Sequence, residues 1–223
     1  MAPLLPLIYG VLALSVGAQA QTLSETLKAE EQARLNACLE RQKEEPEEAY
    51  EDGLAWLMEG NRPGARYCTA TSLIELGKYA EGADRLVALA GAPDGGTMDD
   101  RAIYLAQAGN AWLVAGLPEE AIATLDDAIR ISEPNPDLYK DRARAYLMLE
   151  KWEEGESDLN SAVNLQPGDL DTYLLRAEAR LRMEEYDAAM ADIQQARAID
   201  GENIDALVLR GRIREALRIA GEN

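Results

Sequence analysis

The chain has 223 residues, 47% of them apolar, and carries 41 acidic against 22 basic side chains for a formal charge of −19. That length suits one domain or a modest repeat array, and that charge would repel nucleic acid and anionic lipid headgroups. Histidine is absent, which removes the usual general base, the usual zinc ligand and every Ser-His or Cys-His arrangement.

Residues 1–20, MAPLLPLIYGVLALSVGAQA, contain no charged side chain. An apolar run from Leu4 to Val16 leads into Ala18-Gln19-Ala20, the small-x-small pattern of a signal-peptidase site. The expectation is a signal peptide cleaved after Ala20, an exported, periplasmic mature chain and no stable membrane insertion after cleavage. An uncleaved N-terminal membrane anchor is the alternative. No cysteine follows the run closely, so a lipoprotein is not expected.

Residues 21–62 read as a degenerate helical hairpin, with helices near 24–43 and 46–59, because Glu45-Pro46-Glu47-Glu48-Ala49 anticipates the later Pro118-Glu119-Glu120-Ala121. The two cysteines, Cys38 and Cys68, are either buried thiols or a structural disulfide, and export favours the disulfide. Neither belongs to a CxxC pair, so redox catalysis is not indicated. In the next segment, about 63–100, Leu76-Gly77-Lys78-Tyr79 is the turn, and Gly91-Ala92-Pro93-Asp94-Gly95-Gly96 reads as a mobile loop. The acids Asp94, Asp99 and Asp100 lack EF-hand spacing, so no metal is expected there.

Self-similarity becomes clear from residue 102 to residue 201. Leu105, Gly109, Trp112, Pro118, Ala121, Leu125 and Ala128 return thirty-four residues later as Tyr139, Ala143, Tyr146, Trp152, Gly155, Leu159 and Ala162. Another thirty-four on they are Tyr173, Ala177, Arg180, Tyr186, Ala189, Ile193 and Ala196. Small residues let paired helices approach and large ones fill the gaps; breaks fall at Pro134-Asn135-Pro136, Gln166-Pro167-Gly168 and Asp200-Gly201-Glu202-Asn203. The units are about 102–135, 136–169 and 170–203, and residues 204–223 form a capping helix with Arg212, Arg214, Glu215 and Arg218 on its exposed side.

These residues at this period resemble the tetratricopeptide repeat (TPR) family, with departures at Pro118, Arg180 and Gly201. The resemblance implies an all-α fold, a right-handed superhelix of stacked antiparallel hairpins ending in the capping helix. It places Cys38 and Cys68 on first helices of adjacent units, which are neighbours in such stacks. It also implies a concave groove, lined by first helices, that grips peptides or partner helices.

Carried onto this chain, the groove takes Tyr67, Thr71 and Ile74, then Ile103, Asn110 and Leu113, then Lys140, Arg144, Leu147 and Met148, then Leu174 and Glu178. Lys140 and Arg144 make a basic spot, so a protein or peptide with apolar anchors and an acidic group is the expected partner. A terminal-carboxylate clamp fits poorly, because Asn110 has a clamp offset but Ala106 stands where Lys is needed, and Asp141 and Leu175 occupy others.

The leading reading is therefore a non-catalytic periplasmic interaction module, a scaffold or adaptor in a cell-envelope complex, with no cofactor, no metal and no nucleic acid. A self-associating structural envelope protein is the alternative, with a carboxylate-only hydrolase behind it. The recurring Arg142, Arg176 and Arg210 sit beside the small packing residue and read as scaffold. Arg176 is expected to pair with Asp158 and Arg210 with Asp192 across successive units, while Arg142, with Thr124 at the matching place, should be weaker or differently bonded. Asp137, Asp171 and Asp205 read as helix starts.

Overall fold

The computed structural model describes residues 8–221, with side chains described from Glu25 onward. The first seven residues of the expected signal peptide, and the side chains through its cleavage site, lie outside the described residues. Eleven helices follow one another without a strand among the described residues: α1 (Ile8–Arg41), α2 (Pro46–Glu59), α3 (Pro63–Glu75), α4 (Tyr79–Gly91), α5 (Met98–Val114), α6 (Pro118–Ile131), α7 (Pro136–Met148), α8 (Trp152–Leu165), α9 (Leu170–Arg182), α10 (Tyr186–Ile199) and α11 (Ile204–Gly221). Proline opens α2, α3, α6 and α7, where its missing N–H costs nothing and its fixed φ suits the first turn. The backbone divides between Leu76 and Gly77 into two compact units, one holding α1–α3 and the other α4–α11. The helices of the expected hairpin at 63–100 thus fall in different units.

In the first unit α1, α2 and α3 pack on one another around Trp56, Ala49, Ala65 and the bridged Cys38 and Cys68. The two cysteines are thirty residues apart in sequence, with their Cα atoms 6.0 Å apart. Closing a loop of that length stabilises the unit by roughly 3–4 kcal/mol through the unfolded chain. The Arg34 guanidinium lies 4.8 Å from the Trp56 ring centroid and is also held by Glu59.

In the second unit each helix packs on the next, and α7 also touches α5 and α9, as does α9 with α11. This is the helical solenoid that the period implies. The turn between paired helices is the same in three successive hairpins: Leu117 N donates to Trp112 O (3.0 Å), Lys151 N to Tyr146 O (2.9 Å) and Glu185 N to Arg180 O (2.8 Å). Such a 6→1 bond needs one left-handed residue. Gly116 supplies it at φ 74°, but Glu150 and Glu184 adopt φ 57° and 63°. A β-carbon there costs energy that packing on either side must offset.

Helix starts differ in detail from the sequence expectation. The caps are Asn135, Asp169 and Asn203, whose side chains accept from the backbone N–H of Asp137, Thr172 and Ala206. Asp137, Asp171 and Asp205 stand in the first turn instead, where the helix dipole still favours them. The 92–97 segment is tied down at both ends. Arg101 donates to the carbonyls of Ala90 and Ala92, and Thr97 and Asp100 form a reciprocal capping box.

The recurring arginine is scaffold, but in a different register from that expected. Arg176 donates through Nε and Nη2 to Asp192 (3.0 and 2.6 Å), not to Asp158, and through Nη1 to Asn160 (2.8 Å). Asp158 instead receives Arg142 at 2.7 Å on both oxygens, and Arg142 also binds Asp126. Arg210 makes no ion pair with Asp192 (Arg180 takes that place at 2.8 Å) and has no ion pair among the described residues. The cause is helical geometry. An arginine reaches the second helix of its own hairpin sixteen residues ahead and that of the preceding hairpin sixteen residues behind. The expected partner, eighteen residues behind, lies two residues further along, about 200° around the helix. Arg142 is accordingly bonded differently, through Asp126 rather than the residue at 124. Its guanidinium sits 5.8 and 6.0 Å from the Tyr139 and Tyr146 rings.

Candidate functional site

First helices α5, α7, α9 and α11 share one face of the second unit, and their polar side chains bond mainly to one another. Asn110 on α5 donates to Asp141 on α7 at 2.9 Å, and Arg144 donates to the other Asp141 oxygen at 2.7 Å. Burial raises the Asp141 pKa above the ordinary carboxylate range, with Asn110 and Arg144 offsetting only part of it. Lys140 reaches from α7 to Asp169, the cap of α9, at 3.0 Å, and to Asp137 at 2.9 Å. Burial alone would lower the Lys140 pKa, but the bonds to Asp137 and Asp169 outweigh it and the net shift is upward. Glu178 on α9 accepts from both Nη atoms of Arg212 on α11 (2.6 and 2.9 Å) and from Arg182 (2.9 Å). Those bonds outweigh burial and bring the Glu178 pKa below its ordinary value.

Asn110, Lys140 and Glu178 therefore stitch neighbouring first helices together. Lys140, only 15% exposed and bonded to two aspartates, is not an open cation. Arg144 is 38% exposed and keeps guanidinium surface toward solvent. Ile103 and Met148 stand about half exposed and Leu113 is partly buried, whereas Leu147 lies against Gly155 of α8 and Leu174 packs on the core around Tyr173 and Ala177, so these two do not open onto the face as expected. The face thus offers exposed Ile103 and Met148 beside partly exposed guanidinium groups, Arg144 on α7, Arg182 on α9 and Arg212 on α11.

Tyr67, Thr71 and Ile74 belong to the other unit, on α3. There the Thr71 hydroxyl is buried, 2.9 Å from the Gln42 side-chain oxygen and 3.0 Å from the Tyr67 carbonyl, which gives it a structural use. Asp169 and Arg212 were not among the sequence candidates for this face. The one available signal was the thirty-four-residue recurrence of Asn135, Asp169 and Asn203. Among the described residues no cluster of three or more acidic or cysteine side chains could hold a metal ion, and no helix is long and apolar enough to cross a membrane.

No protein-family model matches the chain, and no curated protein does. Among solved structures, the first TPR domain of Spaghetti (RPAP3), bound to the HSP90 peptide SRMEEVD, is 30% identical. The match covers 93% of that domain and 52% of this chain, with a TM-score of 0.51. The chain is a tetratricopeptide repeat protein. A second similar structure is the second TPR domain of human RPAP3 in complex with the HSP70 peptide SGPTIEEVD, at 26% identity, 98% of that domain, 53% of this chain and a TM-score of 0.51. MamA from Desulfovibrio magneticus RS-1 shares the fold over 78% of this TPR protein and 97% of its own chain, at a TM-score of 0.66 and 17% identity.

Proposed function

We propose that this TPR protein is a non-catalytic interaction module that holds a peptide or partner segment along the α5–α7–α9 face. The observation that carries the reading is that two similar TPR domains are bound to short peptides, SRMEEVD and SGPTIEEVD. Here Ile103, Leu113 and Met148 would take apolar side chains, and Arg144 would meet an acidic group. Ala106 and the buried Asp141 speak against a terminal-carboxylate clamp like the one weighed from the sequence.

We further propose export to the periplasm and a scaffold or adaptor role in a cell-envelope complex. The uncharged leader and the Cys38–Cys68 disulfide support this, since such bridges persist in oxidising compartments. Mature protein purified from the envelope fraction should begin at Gln21, and its partner should be lost on Arg144→Glu/Met148→Glu replacement with the circular dichroism spectrum unchanged. Full partner recovery by the double variant would sink the binding face. An intact leader in the soluble fraction would sink the export.

A further inference from the structure

Helix α1 buries little against its neighbours. From Glu25 to Arg41 its one buried side chain is Cys38; Glu31, Leu35 and Leu39 are partly buried on the same stripe and the rest are exposed. Three ion pairs join this stretch to α2 and to the start of α3: Arg34 with Glu59 at 2.8 Å, Arg41 with Asp52, and Glu31 with Arg62. Surface pairs of this kind each contribute little and weaken in salt. Just past the helix, Gln42 accepts from Thr71 at 2.9 Å, which fixes the turn rather than α1. Helices α2 and α3, by contrast, pack closely on each other. A β-carbon at Gly53 would meet the Thr69 methyl at 2.7 Å, and one at Gly64 would meet the Trp56 ring at 2.7 Å. The Cys38–Cys68 bridge is therefore the main tie between α1 and a hairpin that is packed without it.

That bridge can be reached. A cavity of about 250 Å³ opens between α1 and α2, lined by Arg34, Ala37, Arg41, Gly53 and Trp56, with Cys38 and Cys68 in its wall. Cys38 is 8% exposed and Cys68 0%, so a thiolate entering the cavity meets the Cys38 sulfur. The guanidinium groups of Arg34 and Arg41 favour the thiolate form of an incoming thiol. Cys68 Sγ lies 3.6 Å from the Ala49 carbonyl, to which its S–H can donate once the bridge is open.

We infer that the Cys38–Cys68 disulfide is a thiol-operated latch, and that its reduction by a dithiol releases α1 and bares the Trp56 surface of the α2–α3 hairpin. One thiolate of the dithiol attacks Cys38 Sγ, the S–S bond breaks, and Cys68 leaves as a thiolate that takes up a proton. The second thiol then displaces Cys38 from the mixed disulfide, so the dithiol is oxidised to its own disulfide and both cysteines end as thiols. Losing a cross-link that spans thirty residues shifts the docking of α1 by roughly a hundredfold or more in the chain-entropy model. Once undocked, α1 loses the packing from which most helical stability comes. Trp56, now 2% exposed, loses the Arg34 guanidinium that lies 4.8 Å from its ring centroid. The latch belongs to the first unit and does not depend on peptide binding at the α5–α7–α9 face.

The test is hydrogen exchange of the full mature chain, read by mass spectrometry before and after treatment with dithiothreitol in the absence of denaturant. Exchange of the α1 amides is expected to accelerate roughly tenfold or more on reduction, while α2, α3 and the second unit keep their protection. Unchanged protection of α1 would overturn the latch, because the helix would then be held without its bridge. Loss of protection in α2 and α3 together with α1 would also overturn it, since the bridge would then hold the whole unit rather than one helix. Access is tested separately with the monothiol 2-mercaptoethanesulfonate, whose first adduct should map to Cys38. A bridge that resists both reagents in the native chain, or an adduct found first on Cys68, would overturn the proposed route.

Discussion

Asp192 is among the most buried carboxylates in the second unit, and removing it should be costly. It is 2% exposed and accepts three guanidinium hydrogen bonds, two from Arg176 and one from Arg180. Asp192→Ala leaves two half-buried cations facing an apolar gap. Breaking a buried pair by removing one partner typically costs about 3–5 kcal/mol. The lower end applies, because Arg176 keeps Asn160 at 2.8 Å and Arg180 keeps Glu156 at 2.7 Å. The expected loss is therefore about 3 kcal/mol, or a melting-temperature drop on the order of 6–12 °C for a unit of this size. Urea unfolding followed by far-ultraviolet circular dichroism measures it, with the slope checked for constancy, since repeat arrays can lose two-state behaviour. Repeating the measurement at about 1 M salt separates burial from surface attraction, because buried pairs are screened far less. A loss below about 1 kcal/mol, the range of exposed pairs, would refute the claim that this network fixes the α9–α10 hairpin.

Two carboxylates on the first-helix face should give opposite pH signatures. The Asp141 pKa is raised by burial, so its contribution to stability is complete below the unfolded pKa and is lost as pH rises through the folded one. The Glu178 pKa is lowered, the bonds from Arg212 and Arg182 prevailing over burial, so its contribution is present above the unfolded pKa and lost as pH falls through the folded one. The stability advantage of the wild type over Glu178→Gln should shrink between neutral pH and about pH 3, while its advantage over Asp141→Asn should grow; the same trend in both would contradict the assignments. At the inter-helix turns, Glu150→Gly and Glu184→Gly should each stabilise the chain by roughly 0.5–1 kcal/mol by relieving a left-handed β-carbon. Thermal melts of the two variants decide this, and a lower melting temperature in both would show that the glutamates earn their place through contacts of their own.

The thirty-four-residue recurrence of small and large residues was enough to read the hairpins, because repeated packing constrains each unit locally: Gly109, Ala143 and Ala177 must be small wherever two helices touch. Turn positions were legible for the same reason. What the sequence left undecided was every contact that depends on the azimuth of one helix against another. Arg176 was matched to Asp158 by period alone, yet a two-residue offset turns a side chain to the other face, and only the packed hairpins select Asp192. Lys140 and Asn110 looked like ligand contacts because their offsets point inward. The tertiary structure uses them between α5, α7 and α9, since charges brought close to one another in a partly dry face pair internally before they meet a partner.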